Sequence, residues 1–191
     1  MPPFRMMWFS AICLMILPAL GSEPKPSEKI DNPDYQAWSK FKVGTWLKSK
    51  RIHTSNGLSF EVESKSTLVR LDTDRAVLEI EERDNSGGSW KESLRNLHEV
   101  PAKMTLEELR KSRFGVTREG KLQEGEDEIE VAGKKLKCHW KAYESGSKDH
   151  GERYKVWFHD AIPGGVAQWE LENWDTRPPC HGKMRFDVVG W

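Results

Sequence analysis

The sequence predicts an α+β protein that is mainly β, with about eight or nine strands in a curved, half-barrel-like antiparallel sheet and one or two short helices. Apolar and polar residues alternate with the two-residue period of a strand, as in Leu58, Phe60 and Val62 against the polar residues between them. Short turn motifs such as Ser55-Asn56-Gly57 separate these runs. The alternation is too regular for the buried strands of a parallel α/β core.

The first 21 residues have the pattern of a secretory signal peptide. Arg5 supplies the positive charge, residues 6–20 form an apolar run of 15 residues, and Ala19 and Gly21 are the small residues before the expected cleavage. We therefore expect export to the periplasm or the extracellular space, with a flexible leader over residues 22–31 and one domain over residues 32–191. The alternative is a retained N-terminal anchor, although the run is short for a membrane span. No other apolar span follows, so we expect no transmembrane segment after cleavage.

The elements are predicted in order along the domain. Asn32 is the expected N-cap of a first helix with Pro33 at its first position, and Thr105 with Glu108 forms a capping box for a second helix over residues 106–112. Pro163-Gly164-Gly165 is the turn of a hairpin within residues 154–174. The remaining strands are expected at residues 45–54, 58–71, 76–83, 90–100, 126–131, 136–140 and 184–189, with loops at 115–125, 145–151 and 175–182.

Charge argues against a nucleic-acid partner. The chain has 30 basic and 30 acidic residues, and loss of Arg5 with the signal peptide leaves 29 basic residues. A nucleic-acid-binding domain normally shows a basic excess on its binding surface, and none is predicted here.

Two cysteines, Cys138 and Cys180, remain after signal cleavage. In an exported chain their even number favours a disulfide between them. Each is followed by histidine, His139 and His181, so a zinc site of two cysteines and two histidines is a further possibility, as are free thiols. Neighbouring residues on a strand point to opposite faces, which argues against the metal. We expect no metal and no cofactor.

No catalytic signature is found. No histidine has the spacing from a serine or cysteine and an acid that known catalytic triads show along the chain; the four considered are His53, His98, His150 and His159. Asp160 and Glu170 flank one hairpin and are the carboxylates that a hydrolase acting on envelope polymers would use, but a two-carboxylate site needs a defined separation that sequence does not give. We therefore assign no catalytic residue, and an enzymatic role is less favoured than binding.

Tryptophans are the more informative group, with eight after residue 21. They either pack a core or line a ligand surface. On the second alternative, a curved sheet with an apolar concave face is where an amphipathic ligand would bind, and the candidate ligand-binding residues are Trp140, Trp157, Trp169 and Trp174.

The signal peptide, the start DNPDYQAWSKFKVGTW and the hairpins EDEIEVAGKKLKCHW and KVWFHDAIPGGVAQWE together resemble a group of small secreted bacterial proteins without assigned activity. In outline these are similar to lipoprotein-carrier-like half-barrels. This resemblance is one of fold and implies no function by itself. From the whole sequence we expect a non-enzymatic binding or carrier module for a lipid or another apolar or amphipathic ligand of the cell envelope. The alternatives are the hydrolase described above and a structural or interaction protein of the envelope. No pocket residue of the carrier family is matched one by one.

Overall fold

The computed structural model describes residues 28–91, 93–111, 121–176 and 179–191. The predicted signal peptide and residues 22–27 of the predicted leader lie outside these ranges. The remainder of the leader is not an irregular tail, because Lys29–Asp31 forms strand β1. β1 pairs with β6 (Lys103–Thr105) as a two-stranded antiparallel ribbon. The last residues of the leader are therefore part of the fold.

The architecture is a nine-stranded antiparallel sheet, which confirms the predicted mainly β class. Its strand order is β5-β4-β3-β2-β11-β10-β9-β8-β7. Of these strands, β2, β3 and β4 lie within one residue of their predicted bounds. The nine strands are β2 Trp46–Ser55, β3 Leu58–Leu71, β4 Arg75–Asp84, β5 Leu94–Pro101, β7 Lys121–Val131, β8 Lys134–Gly146, β9 His150–Phe158, β10 Val166–Thr176 and β11 Pro179–Gly190.

The sheet is open and uncurled, with β5 and β7 at its two edges. The predicted half-barrel-like curvature does not match this arrangement. Two meanders, β2 to β5 and β7 to β11, are joined where β11 pairs antiparallel with β2. This one pairing places the last strand of the chain beside the first strand of the sheet.

Helix α1 (Pro33–Ser39) begins as predicted, because the Asn32 side chain accepts a hydrogen bond from the Asp34 N–H at 2.9 Å. The Asn32 amide also donates to the Pro101 carbonyl at 2.7 Å, which ties the helix start to the end of β5. Trp38 on α1 is 1% exposed and packs in the main core with Leu68 of β3 and Leu78 of β4. The helix therefore covers one end of one sheet face.

Helix α2 (Leu106–Lys111) also begins at the predicted capping box. The Glu108 carboxylate accepts from the Thr105 N–H at 2.7 Å, and the Thr105 hydroxyl accepts from the Glu108 N–H at 3.1 Å.

Turn residues fix the two hairpins that the sequence marks most clearly. Asn56 and Gly57 have φ of 49° and 80°, the left-handed conformation that a two-residue hairpin turn requires. Gly164 and Gly165 have φ of 76° and 72° in the Pro-Gly-Gly turn between β9 and β10. The predicted loop at residues 175–182 is wrong, since β10 continues to Thr176 and β11 begins at Pro179. The predicted loop at 115–125 is also wrong over its last five residues, because β7 begins at Lys121.

The predicted disulfide between Cys138 and Cys180 is also wrong. Cys138 is a buried, free cysteine on β8, whereas Cys180 lies on β11, with β9 and β10 between them. Three strand spacings amount to about 14 Å, and disulfide-bonded Cα atoms lie within about 7 Å of each other. The two cysteines also lie toward opposite ends of β9, beside Phe158 and His150 respectively.

Candidate ligand-binding face

One face of the sheet carries two rows of apolar and aromatic side chains that run across strands, here called the aromatic face. The register of the paired strands defines each row, because directly opposite residues share a face. The first row is Phe60, His53, Met184, Leu171, Tyr154 and Tyr143, and the second is Val62, Arg51, Phe186, Trp169 and Val156. Helix α1 packs on the same face, at the end formed by Leu68 and Leu78.

The rings of the aromatic face contact one another across strands. His53 and Phe60 are stacked with centroids 4.5 Å apart and planes at 8°. Trp169 and Phe186 are stacked at 5.9 Å and 2°, and Tyr154 lies 6.1 Å from Trp169 in a tilted arrangement. All five side chains are only partly buried. Partly exposed rings grouped in this way on one face are suited to contact with an apolar chain.

Burial, and then the neighbouring Arg51 charge, lower the pKa of His53. Its imidazole is therefore held in the neutral form more strongly than a free histidine, which suits its stacking on Phe60.

Polar atoms lie within the same surface without a partner among the described residues. The Arg51 Nε and the Tyr143 hydroxyl are both buried and make no hydrogen bond to any residue that the structure describes. The Arg51 Nη2 reaches the Glu82 carboxylate only at 3.4 Å. A buried polar atom without a partner costs free energy, so these two atoms are places where a polar group of a ligand would be stabilising.

Of the four tryptophans predicted to bind ligand, Trp169 alone lies on the aromatic face. Trp140 and Trp157 lie on the other face, on either side of Lys155, whose Nζ is 4.2 Å from one ring centroid and 4.4 Å from the other. The Asp127 carboxylate accepts from Lys155 Nζ at 2.8 Å and from Trp157 Nε1 at 3.2 Å. This closed cluster of charge and rings holds β7, β8 and β9 together, which is a structural role.

Trp174 lies near the turn between β8 and β9. Its Nε1 donates to the Ser147 carbonyl at 3.1 Å, and its ring lies over Gly151, where an added Cβ would come within 2.4 Å of the indole. It lines a shallow polar depression of about 530 Å³ with Ser147 and Lys148. The structure thus separates the four tryptophans into three environments.

Over β2, β3, β4, β10 and β11 the face opposite the aromatic face is mainly charged and is here called the charged face. Cross-strand ion pairs such as Lys50 with Glu61 at 2.7 Å run across it. A depression of about 600 Å³ lies here and is lined by Lys48, Lys65, Glu63, Glu81, Arg83 and three serines, with Val189. Neither Asp160, Glu170 nor a histidine lines it, so this depression does not assemble the predicted hydrolase pair.

Asp160 and Glu170 are held separately by different cations. Asp160 accepts from Lys40, the residue that follows α1, at 2.6 Å, and that hydrogen bond lowers the pKa of the Asp160 carboxyl. Glu170 lies on the charged face, 3.4 Å from Arg185. A hydrolase of this class needs one carboxyl with a raised pKa as its general acid, and Asp160 shifts in the opposite direction.

Among the described residues, no group of three or more His, Cys, Asp or Glu side chains is arranged to hold a metal ion. Within the same residues, no helix is long and apolar enough to cross a membrane.

Sequence reasoning missed most of the aromatic face, including His53, Phe60, Tyr154 and Phe186. The alternation along each strand already assigned Phe60, Tyr154 and Phe186 to the apolar side of their strands. The missing information was the register between strands, above all the pairing of β11 with β2, which brings Phe186 opposite Arg51.

In comparisons with known proteins, no family model matches the chain and no curated protein matches it. The resemblance to carrier-like half-barrels stays a prediction.

Proposed function

We propose that this protein is a non-enzymatic binding or carrier module that takes an amphipathic, acyl-chain-bearing ligand of the cell envelope after export. The observation that supports the proposal is the aromatic face, where partly exposed rings from five strands lie on one side of the sheet and contact one another in two groups, His53 with Phe60 and Trp169 with Phe186 and Tyr154. Burial of such rings against an acyl chain is favourable at about 25 cal/mol per Å² of apolar surface. The unpaired Arg51 Nε and Tyr143 hydroxyl provide contacts for the polar part of the ligand.

The test uses the chain from Ser22 to Trp191 with a doxyl-labelled stearate as the probe, because the nitroxide quenches tryptophan fluorescence at short range. Trp169→Ala removes the central ring of the aromatic face and is expected to weaken binding about tenfold, which corresponds to about 1.4 kcal/mol. Trp174→Ala on the same strand is the matched control, since Trp174 packs on Gly151 away from this face.

Wild-type binding at micromolar probe, retained in the Trp174 variant and weakened in the Trp169 variant, would support the proposal. Absence of quenching in the wild type, or equal loss in both variants, would overturn it. Native mass spectrometry of protein purified from its own host's envelope provides an independent measurement, because a bound lipid adds its mass to the protein.

A further inference from the structure

Strand β5 is an edge of the sheet and pairs only with β4 in the part of the chain that the structure describes. Residues 94–99 are all exposed, on both sides of the strand. Leu94 is 68% exposed and Leu97 is 70% exposed. An exposed edge strand with unpaired backbone groups is a template for pairing with another strand, and proteins usually block such edges with charge, bulges or proline.

The other edge, β7, is blocked in this way. Its sequence from Lys121 to Val131 carries five acidic residues, so two copies of β7 would repel each other. β5 carries one basic and one acidic residue, Arg95 and Glu99, with Leu97 midway between them. The two edges therefore differ in their capacity to pair with a copy of themselves.

The spacing of these three residues selects one register for self-pairing. Two copies of β5 related by a two-fold axis perpendicular to the sheet run antiparallel, and opposite residues must lie on the same face. An axis at Leu97 places Leu97 opposite Leu97, and Arg95 of each copy opposite Glu99 of the other. The neighbouring registers place Arg95 opposite Leu97 or opposite Pro101, and neither of them forms an Arg95–Glu99 pair. Directly opposite charges of unlike sign stabilise a strand pair.

We propose that β5 is a homodimerisation edge, at which a second copy of this chain pairs antiparallel about Leu97. The pairing joins the two sheets into one. Within each chain, Arg95 already pairs with Glu81 at 2.7 Å and Glu99 with Arg75 at 3.0 Å. Arg95–Glu99 pairs across the axis would join these ion pairs of the two copies into one network. The two-fold axis also keeps both aromatic faces on one side of the joined sheet. This inference does not depend on the proposed function.

The test is sedimentation equilibrium of the chain from Ser22 to Trp191 over a wide concentration range. Wild type is expected to show a reversible monomer–dimer equilibrium. Arg95→Glu and Glu99→Arg each place like charges opposite one another in a homodimer, so each variant alone is expected to dimerise at least tenfold more weakly. A mixture of the two variants restores both Arg–Glu pairs, and it should form heterodimers that native mass spectrometry distinguishes by mass.

Leu97→Lys places two ammonium groups at the axis and is expected to abolish association. Glu128→Lys on the opposite edge is the control and should leave the dimer unchanged. Melting temperatures of all variants establish that each monomer is folded. A wild-type chain that stays monomeric at all concentrations, or single variants that fail to form heterodimers when mixed, would overturn the proposal, as would a dimer unaffected by Leu97→Lys.

Discussion

The hydrogen bond from the Asn32 side-chain nitrogen to the Pro101 carbonyl is expected to contribute as much to the free energy of unfolding as the helix cap that Asn32 provides. Asn32 is 2% exposed, caps α1 through its side-chain oxygen, and donates from its side-chain nitrogen to the Pro101 carbonyl at 2.7 Å. Loss of an N-cap side chain costs about 1 kcal/mol. Loss of a partly buried hydrogen bond that leaves the carbonyl unpaired costs about 1 kcal/mol more. Asn32→Ala should therefore lower the free energy of unfolding by about 2 kcal/mol.

Asn32→Ser separates the two contributions. Serine is as good an N-cap as asparagine but is too short to reach Pro101, so this variant should lose about 1 kcal/mol, half of the effect of alanine. Urea unfolding followed by tryptophan fluorescence measures both variants, and an unchanged m-value shows that the two-state comparison holds. If serine and alanine are equally destabilising, the cap contributes nothing. If serine matches the wild type, the bond between α1 and β5 contributes nothing.

Two further predictions concern titratable groups. The hydrogen bond from Lys155 lowers the pKa of the Asp127 carboxyl in the folded state. The ionised carboxylate therefore stabilises the folded protein fully above the pKa of Asp127 in the unfolded chain, near 3.8, and this stabilisation is lost as the pH falls through the pKa of Asp127 in the folded protein. Melting temperatures from pH 2 to pH 6 should therefore fall less steeply at the acid end for Asp127→Asn than for the wild type, and parallel curves would contradict this. Burial raises the pKa of the Cys138 thiol, which should react with a thiol reagent only after unfolding, without prior reductant. Rapid reaction in the native state, or reaction only after reduction, would contradict the assignment of a buried, free thiol.

Local chemistry predicted the ends and turns of elements well. Asn32 and Pro33 mark the start of α1, Thr105 and Glu108 mark the start of α2, and Asn56-Gly57 and Pro163-Gly164-Gly165 mark two hairpins at the observed positions. These features depend on backbone conformation and hydrogen bonds within a few residues, which the sequence specifies directly. The end of β10 was missed because Asp175 and Thr176 continue the strand only through their pairing with β9 and β11.

The candidate site was predicted poorly from the same information. The tryptophan content of the sequence singled out Trp140, Trp157, Trp169 and Trp174 as candidates. Residue type alone does not distinguish a tryptophan that stacks on Phe186 from one that packs against Lys155. The expected disulfide failed for a similar reason, since an even cysteine count carries no information about how far Cys138 lies from β11.

The sequence by itself determined where most strands, the clearest turns and the helix starts fall, and which side of each predicted strand is apolar. Only the tertiary structure decided which strands are neighbours. The pairing of β11 with β2 closes a contact between residues far apart in the chain, and no local pattern encodes the register of such a pair. That register places Phe186 between Arg51 and Trp169, and so creates the aromatic face. Among the described residues it also leaves β5 and β7 as the two edges, of which β7 is blocked by acidic residues and β5 pairs only with β4.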